Sequence, residues 1–396
     1  MGYDYKPKLT VFRKEYVRSI SMKENSLLKL STFGQSAWLD FISLGMISSG
    51  ELQRLIENDG ICGVTSNPAI FEKAIAETQD YDHKIQELAV QGNTTEQIYH
   101  NLTVQDIQLA ADLFRDTYER TDGRDGLVSL EVSPHIAHDT ATTITEARRL
   151  WDAVERPNVM IKVPGTAAGL PAIEELLGGG VNVNVTLLFG LEQYRRVAET
   201  YLAALEKRAR QGFSLRRLSS VASFFLSRID TLVDALLDKI IHSGGAQAAA
   251  AQALRGQTAI AQAKMAYGIF KEVLSEEKFA PLAAKGAAKQ RLLWASTSTK
   301  NPAYSDVMYV EDLIGPETVT TLPLETIEAY RDHGKPAPRL EEGMDQARQQ
   351  LTRLAELGIS MDQVVEQLEE EGVQKFIKPY DALLNTLERA RDAALG

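Results

Sequence analysis

Lys162 stands inside an apolar, strand-like run, VMIKVPG (Val159 to Gly165). Val159, Met160, Ile161 and Val163 ask for burial in a sheet, and Pro164 with Gly165 ends the run, so the lysine is expected at a strand's carboxyl end. A free lysine amine has a pKa of about 10.4 and is protonated at neutral pH; partial desolvation favours the neutral amine that attacks a carbonyl. The placement points to Schiff-base chemistry, with a lysine snorkelling from a strand end as the plain alternative. Polar residues interrupt other apolar runs in the same way: Asp40 in AWLDFIS, Asn67 after GVTS, Glu131 in LVSLEVS, Asn184 and Thr186 in VNVNVTLLF, and Ser223 in SVASFF. A carboxylate or amide in an apolar strand is costly unless partnered. One alone reads as structural, and several converging on a lysine read as a site. Singly, Asp40 or Glu131 could be bonded to backbone, and Asn67 before Pro68 could form a turn.

Convergence needs a scaffold, and the chain supplies a repeating one. Strand candidates are Ala37 to Ser43, Gly60 to Ser66, Leu127 to Ser133 and Val159 to Gly165, then Val181 to Phe189, Leu218 to Phe225, Arg291 to Ser296 and Thr318 to Pro323. Helical patterns such as Ile144 to Glu155 and Leu191 to Gln211 lie between them. Strands alternating with helices imply parallel pairing with crossovers, and eight such units match a (β/α)8 TIM barrel, whose strands' carboxyl ends share one mouth. An open doubly wound sheet fits the same periodicity. The organisation expected is one domain over residues 1–396, with a barrel core of about 35–335 and a C-terminal helical extension of about 339–396. Residues 1 to about 34 read as a polar leader with one helix packed outside. The alanine-rich stretch Gly244 to Ala266 reads as helix, and its weak amphipathy suggests an exposed surface. The extension reads as amphipathic helices broken around Gly358 and Ser360 and again near Lys378 and Pro379, able to cover the barrel or bind a partner.

Composition narrows the class. The chain has 396 residues, 44% hydrophobic, enough for a large core. A net charge of -11 argues against nucleic acid or an anionic membrane as partner and leaves small molecules. Cys62 is the only cysteine, so an intramolecular disulfide is impossible and a reducing compartment fits. No apolar stretch reaches membrane-spanning length and the first residues lack a secretory signal's apolar block, so the expected location is cytoplasmic.

The motifs resemble those of the transaldolases. GVTSNPAIF (Gly63 to Phe71) is similar to the family's first signature and IKVPGT to the segment carrying its Schiff-base lysine. SLEVSPHIAHD (Ser129 to Asp139), NVNVTLLF (Asn182 to Phe189) and SFFLSRID (Ser223 to Asp230) match in order, over roughly residues 35 to 335. The resemblance implies a barrel that moves a dihydroxyacetone unit between sugar phosphates, from sedoheptulose 7-phosphate to glyceraldehyde 3-phosphate, in the non-oxidative pentose phosphate pathway. It implies that Lys162 attacks the ketose carbonyl, that Asp40 exchanges the proton of the carbon 4 hydroxyl, and that Glu131 and Thr186 hold a proton-shuttling water. Asn67 and Asn184 would bind hydroxyls of the three-carbon fragment, and no metal or cofactor is needed. For phosphate, Arg228 and Ser296 match the pattern, with Ser223 beside them as a substrate-binding candidate. A further arginine expected after the seventh strand is absent from ASTSTKNP, where Lys300 could supply the charge.

Other readings compete. A fructose 6-phosphate aldolase would share fold and lysine but release free dihydroxyacetone; such relatives tend to have glutamine where this chain has Glu131 and tyrosine where it has Phe225. A non-catalytic barrel scaffold would be expected to have lost Lys162, Asp40 or Glu131, and all are present. Some family members are fused to phosphoglucose isomerase, for which the stretch ending at Gly396 is expected to be too short. Homo-oligomerisation is left open. Gly178 to Gly180 precede a strand and read as a turn, His135 with His138 and Asp139 as loop residues, and Glu366 to Gly372 as a solvated helix face.

Overall fold

The computed structural model of the protein describes residues 25–395. Its strands are β1 (Gln35–Leu39), β2 (Gly63–Val64), β3 (Leu127–Glu131), β4 (Val159–Pro164), β5 (Val183–Leu188), β6 (Ser220–Phe225), β7 (Arg291–Ala295) and β8 (Thr318–Leu322). They pair in parallel in chain order, and β8 closes on β1 with Gln35 opposite Thr318 and Leu39 opposite Leu322. The result is a (β/α)8 barrel with added helices, and the open sheet is excluded. Every strand residue is buried, because one face fills the barrel and the other meets the surrounding helices. That double burial is why the strands read as apolar runs in which a polar residue stands out.

Register does the positioning. Glu131 of β3 lies opposite Lys162 of β4, which lies opposite Asn184 of β5, so neighbouring strands present these three in one row. The opposite end of the barrel is plugged by charge. Arg291, 4% exposed at the start of β7, donates to Ser36 Oγ at 2.7 Å and to Asp125 Oδ1 at 3.0 Å. Burial pushes the Asp125 carboxyl up, but the Arg291 charge and hydrogen bonds from Arg291, Ser36 and Trp38 hold it below its usual range.

Two expectations change outside the barrel. The alanine-rich stretch forms two helices, Ala248–Leu254 and Thr258–Val273, separated at Gly256, whose φ is +67°. Its start is exposed, at Gly244 to Gln247, but Ala251, Ala259, Ala261, Ala263 and Ala266 are buried, because small side chains let the helix Thr258–Val273 pack closely on Leu191–Arg210 and Met344–Glu356. The extension breaks at Gly358, as expected, but Met361–Leu395 is one helix that runs through Pro379. A proline in a helix interior costs about 3 kcal/mol or more. Here burial of Phe376, Tyr380, Leu383 and Leu387 on either side offsets it, as the helix packs on Pro68–Ala76, Asp82–Val90 and Thr95–Leu113. Of the leader, residues 1–24 lie outside the described residues, and Ser26–Phe33 forms a 3-10 helix that buries Leu27 and Leu30.

A buried carboxyl steadies the turn after β1. Tyr81 Oη donates to Asp106 Oδ2 at 2.6 Å and accepts from Leu44 N at 2.8 Å. Burial raises the Asp106 pKa from 3.8 to about 7, against the lowering effect of the Tyr81 hydrogen bond. Since the folded value lies above the unfolded one, Asp106's contribution to stability is complete at acid pH and is lost as pH rises through about 7. Asp106→Asn is therefore expected to gain stability relative to the unsubstituted protein between about pH 4 and pH 7 and to level off above, as measured by urea unfolding across that range.

Candidate active site

At the carboxyl ends of the strands lies a cavity of about 240 Å³. Asp40, Asn67, Lys162, Thr186, Ser223, Arg228, Ser296 and Lys300 all border it. Glu131 and Asn184 stand behind its wall. Snorkelling is ruled out for Lys162, which is 4% exposed. Its Nζ donates to Ser66 O at 2.9 Å and lies 3.3 Å from Glu131 Oε2. That contact is an ion pair without a well-aimed hydrogen bond, which leaves Glu131 Oε2 short of a partner, as is the buried Thr186 Oγ1. Burial pushes the Glu131 carboxyl up, and the neighbouring Lys162 and Arg228 charges oppose the shift.

Asp40 sits one residue beyond β1, where its N–H donates to Leu322 O at 2.9 Å and extends the ladder to β8. It is open to the cavity yet deep in the molecule. Burial raises its pKa most, Lys162, Arg228 and Lys300 lower it, and Glu325 raises it further. Thr186 owes its placement to an irregularity: the β5–β6 register shifts between Val185 and Leu188, and Leu187 adopts φ +60°. Bulges re-aim side chains in this way and often lie beside active sites.

The amides divide. Asn67 does form the turn, since its Oδ1 accepts from Ala69 N and Ile70 N and caps the helix Pro68–Ala76, but it also borders the cavity. Asn184 is fully buried, donating from Nδ2 to Ser129 Oγ at 3.0 Å and accepting from Ser223 Oγ at 2.7 Å. Its amide is thus shared between two serines beneath the cavity floor.

A basic edge faces this cluster. Arg228 lies in the first turn of the helix Ser227–Ser243 with its guanidinium 5.0 Å from the Phe225 ring and 5.5 Å from the Phe376 ring. Burial pulls its pKa down, against the pull of Glu131, Asp40 and Glu371, and its Nη1 has no hydrogen-bond partner. Ser296 takes the left-handed conformation, φ +55°, at the end of β7, with Oγ 2.8 Å from Ser227 Oγ. Lys300 donates to Ser298 Oγ at 2.5 Å on an exposed loop.

The sequence reading missed Thr65, Ser66, Glu325 and Phe376. The first two sit inside a quoted motif, and Glu325 is a charge just beyond a predicted strand, so each had a local signal. Phe376 had none, because its distance from the barrel in sequence conceals its contact with Lys162, 5.8 Å from ring to Nζ. Gly178 and Gly179 belong to the helix Gly169–Gly179, so the expected turn is confined to Gly180, which caps that helix at φ +92°. His135 pairs with Asp381 and Asp139 caps the helix Thr140–Val154. The acidic run Glu366 to Gly372 is only partly solvated: Leu368 and Gly372 are buried and Glu369 accepts from Gln193 at 2.8 Å. A cavity of about 710 Å³ between Glu51–Asp59 and Leu324–His333 holds no lysine and lies outside the barrel.

Comparison with known proteins agrees with this geometry. The family model described as Transaldolase/Fructose-6-phosphate aldolase matches residues 37–387. Transaldolase 2 of Nostoc sp. (strain PCC 7120) is 49% identical over 372 residues, 93% of this chain and 98% of its own length. The transaldolase of Trichodesmium erythraeum is 48% identical over 371 residues, covering 93% of this chain and 98% of that one. That of Saccharopolyspora erythraea is 47% identical over 375 residues, covering 94% and 100%. Among the described residues no helix is long and apolar enough to cross a membrane.

Proposed function

The chain belongs to the transaldolase/fructose-6-phosphate aldolase family of enzymes, and on that premise we propose that it transfers a dihydroxyacetone unit from a ketose phosphate to an aldose phosphate through a Schiff base on Lys162. The single observation that carries the reading is a buried lysine amine, 3.3 Å from a buried carboxylate, bordering the same cavity as Asp40. Sedoheptulose 7-phosphate or fructose 6-phosphate is the donor, glyceraldehyde 3-phosphate or erythrose 4-phosphate the acceptor, and the non-oxidative pentose phosphate pathway the setting.

The Lys162 amine gives up a proton, adds to the carbon 2 carbonyl and forms a carbinolamine, which loses water to become an iminium ion. Glu131, whose Oε2 faces the Lys162 amine, and Thr186, whose Oγ1 lacks a hydrogen-bond partner, hold a water that carries protons in these steps. Asp40, whose raised pKa suits a group that both takes and returns a proton, accepts the proton of the carbon 4 hydroxyl. The bond between carbons 3 and 4 breaks, its electron pair passes into the iminium to give an enamine, and the aldose leaves. Addition to the acceptor aldehyde reverses these events, and hydrolysis frees the product and Lys162. Asn67 grips the held fragment from the cavity edge, and Asn184, from beneath, fixes Ser223 against it. Arg228, Ser296 and Lys300 bind the phosphate, Arg228 through the donors it leaves unused.

Fructose 6-phosphate aldolase activity is the second reading. A coupled assay separates the two by measuring erythrose 4-phosphate consumption and free dihydroxyacetone release from fructose 6-phosphate. Transfer is expected to exceed release by at least about 10-fold, since Phe225 supplies no hydroxyl at the cavity where a tyrosine could direct water or a proton to the bound fragment. Dihydroxyacetone release without any dependence on acceptor would overturn the transferase reading.

A further inference from the structure

The helix Met361–Leu395 is tied to the barrel along a single face. Gly372, Phe376 and Tyr380 are spaced four residues apart, so they project from that face one turn above another. Gly372 allows the closest approach: a Cβ there would lie 3.1 Å from Leu187 Cδ2 and 3.4 Å from Phe189 Cζ. The helix therefore rests on the irregular end of β5. One turn on, Phe376 is 3% exposed and borders the cavity. A further turn on, the Tyr380 ring makes edge contacts with Tyr99 at 5.2 Å and His135 at 5.8 Å, and His135 Nε2 lies 2.7 Å from Asp381 Oδ1. Seated at one end and anchored at the other, the helix has little freedom to move the ring between them.

That ring is the second of two aromatic rings against Arg228. The Arg228 guanidinium carbon lies 5.0 Å from the Phe225 centroid and 5.5 Å from the Phe376 centroid, within cation–π range of both. The Phe225 ring is itself braced by Phe189 at 5.3 Å, which also lies against Gly372. Two aromatic faces restrain a guanidinium without using any of its five N–H donors, and Nη1 is left without a partner. A carboxylate holding the same arginine would have consumed donors and neutralised the charge. We infer that Phe376, from the C-terminal helix, is a positioning residue for phosphate recognition that acts through Arg228, an inference that rests on the proposed transfer between sugar phosphates.

The test is a double-mutant cycle on the full chain, comparing kcat/KM for glyceraldehyde 3-phosphate with that for unphosphorylated D-glyceraldehyde as acceptor. Phe376→Leu, which keeps apolar bulk but loses the π face, is expected to lower kcat/KM about 10-fold for the phosphorylated acceptor, mainly through KM, and less than about 2-fold for D-glyceraldehyde. Phe376→Tyr, which keeps the ring, should remain within about 2-fold for both. In an Arg228→Ala background, itself expected to lose the phosphorylated acceptor selectively, Phe376→Leu should add nothing further. Equal losses for both acceptors in Phe376→Leu, or its full loss added on top of Arg228→Ala, would overturn the inference alone. Equal losses in Arg228→Ala would overturn the phosphate assignment, and this inference with it.

Discussion

Incubation with fructose 6-phosphate and borohydride is expected to leave a reduced three-carbon adduct on Lys162, and Lys162→Ala to abolish the adduct together with transfer. The loss of rate should be on the order of 10⁴-fold or more, the scale seen when the nucleophile of a covalent mechanism is removed. Ser66 O and Glu131 aim the amine from outside the cavity wall, and among the described residues no other lysine offers the same burial at this mouth: Lys300, also at the cavity, lies on an exposed loop. Peptide mapping reads the result. An adduct at Lys300 or elsewhere would transfer the covalent role and dismantle the assignments built around Lys162. Lys162→Met, which fills the space with an apolar chain, checks that lost activity is not lost fold, since truncation to Ala also opens a cavity.

Asp40→Asn is expected to separate activity from stability. Asn cannot take up the proton of the carbon 4 hydroxyl, so transfer should fall about 10²–10⁴-fold while the adduct still forms with the donor. Stability should move the other way. Burial raises the Asp40 pKa above its unfolded value despite the opposing Lys162, Arg228 and Lys300 charges, so ionised Asp40 weakens the fold at neutral pH. The contribution is favourable only at acid pH and is lost as pH rises through the folded value. A neutral amide removes that penalty, and the thermal midpoint of Asp40→Asn at pH 8 should exceed that of the unsubstituted protein, with the difference shrinking toward pH 4. A lower midpoint at pH 8 would show that Asp40 is held there by compensating bonds, and retained transfer would remove it from the proton path.

The sequence by itself determined the eight alternating strand and helix units and the polar residues that interrupt the strands. Strands buried on both faces must be apolar, so Lys162, Glu131, Asn184 and Thr186 stood out against their runs, and alternation with helices implied parallel pairing. The turn at Asn67 and the helix break at Gly358 were equally legible, because capping and left-handed glycine are local physics. Tertiary structure decided the rest. Closure of the sheet depends on β8 meeting β1 across nearly the whole barrel sequence, which periodicity cannot report. Burial of the alanine-rich helix, passage of the last helix through Pro379, and withdrawal of Asn184 behind the cavity wall each follow from neighbours remote in sequence. Phe376 is the clearest case: nothing in its own segment distinguishes it from any apolar residue on a helix face. Only the seating of Gly372 on Leu187 and Phe189, one turn earlier, brings its ring to Arg228 and the cavity, because a side chain's partners are set by the fold's long-range contacts and its own type sets only what it does once there.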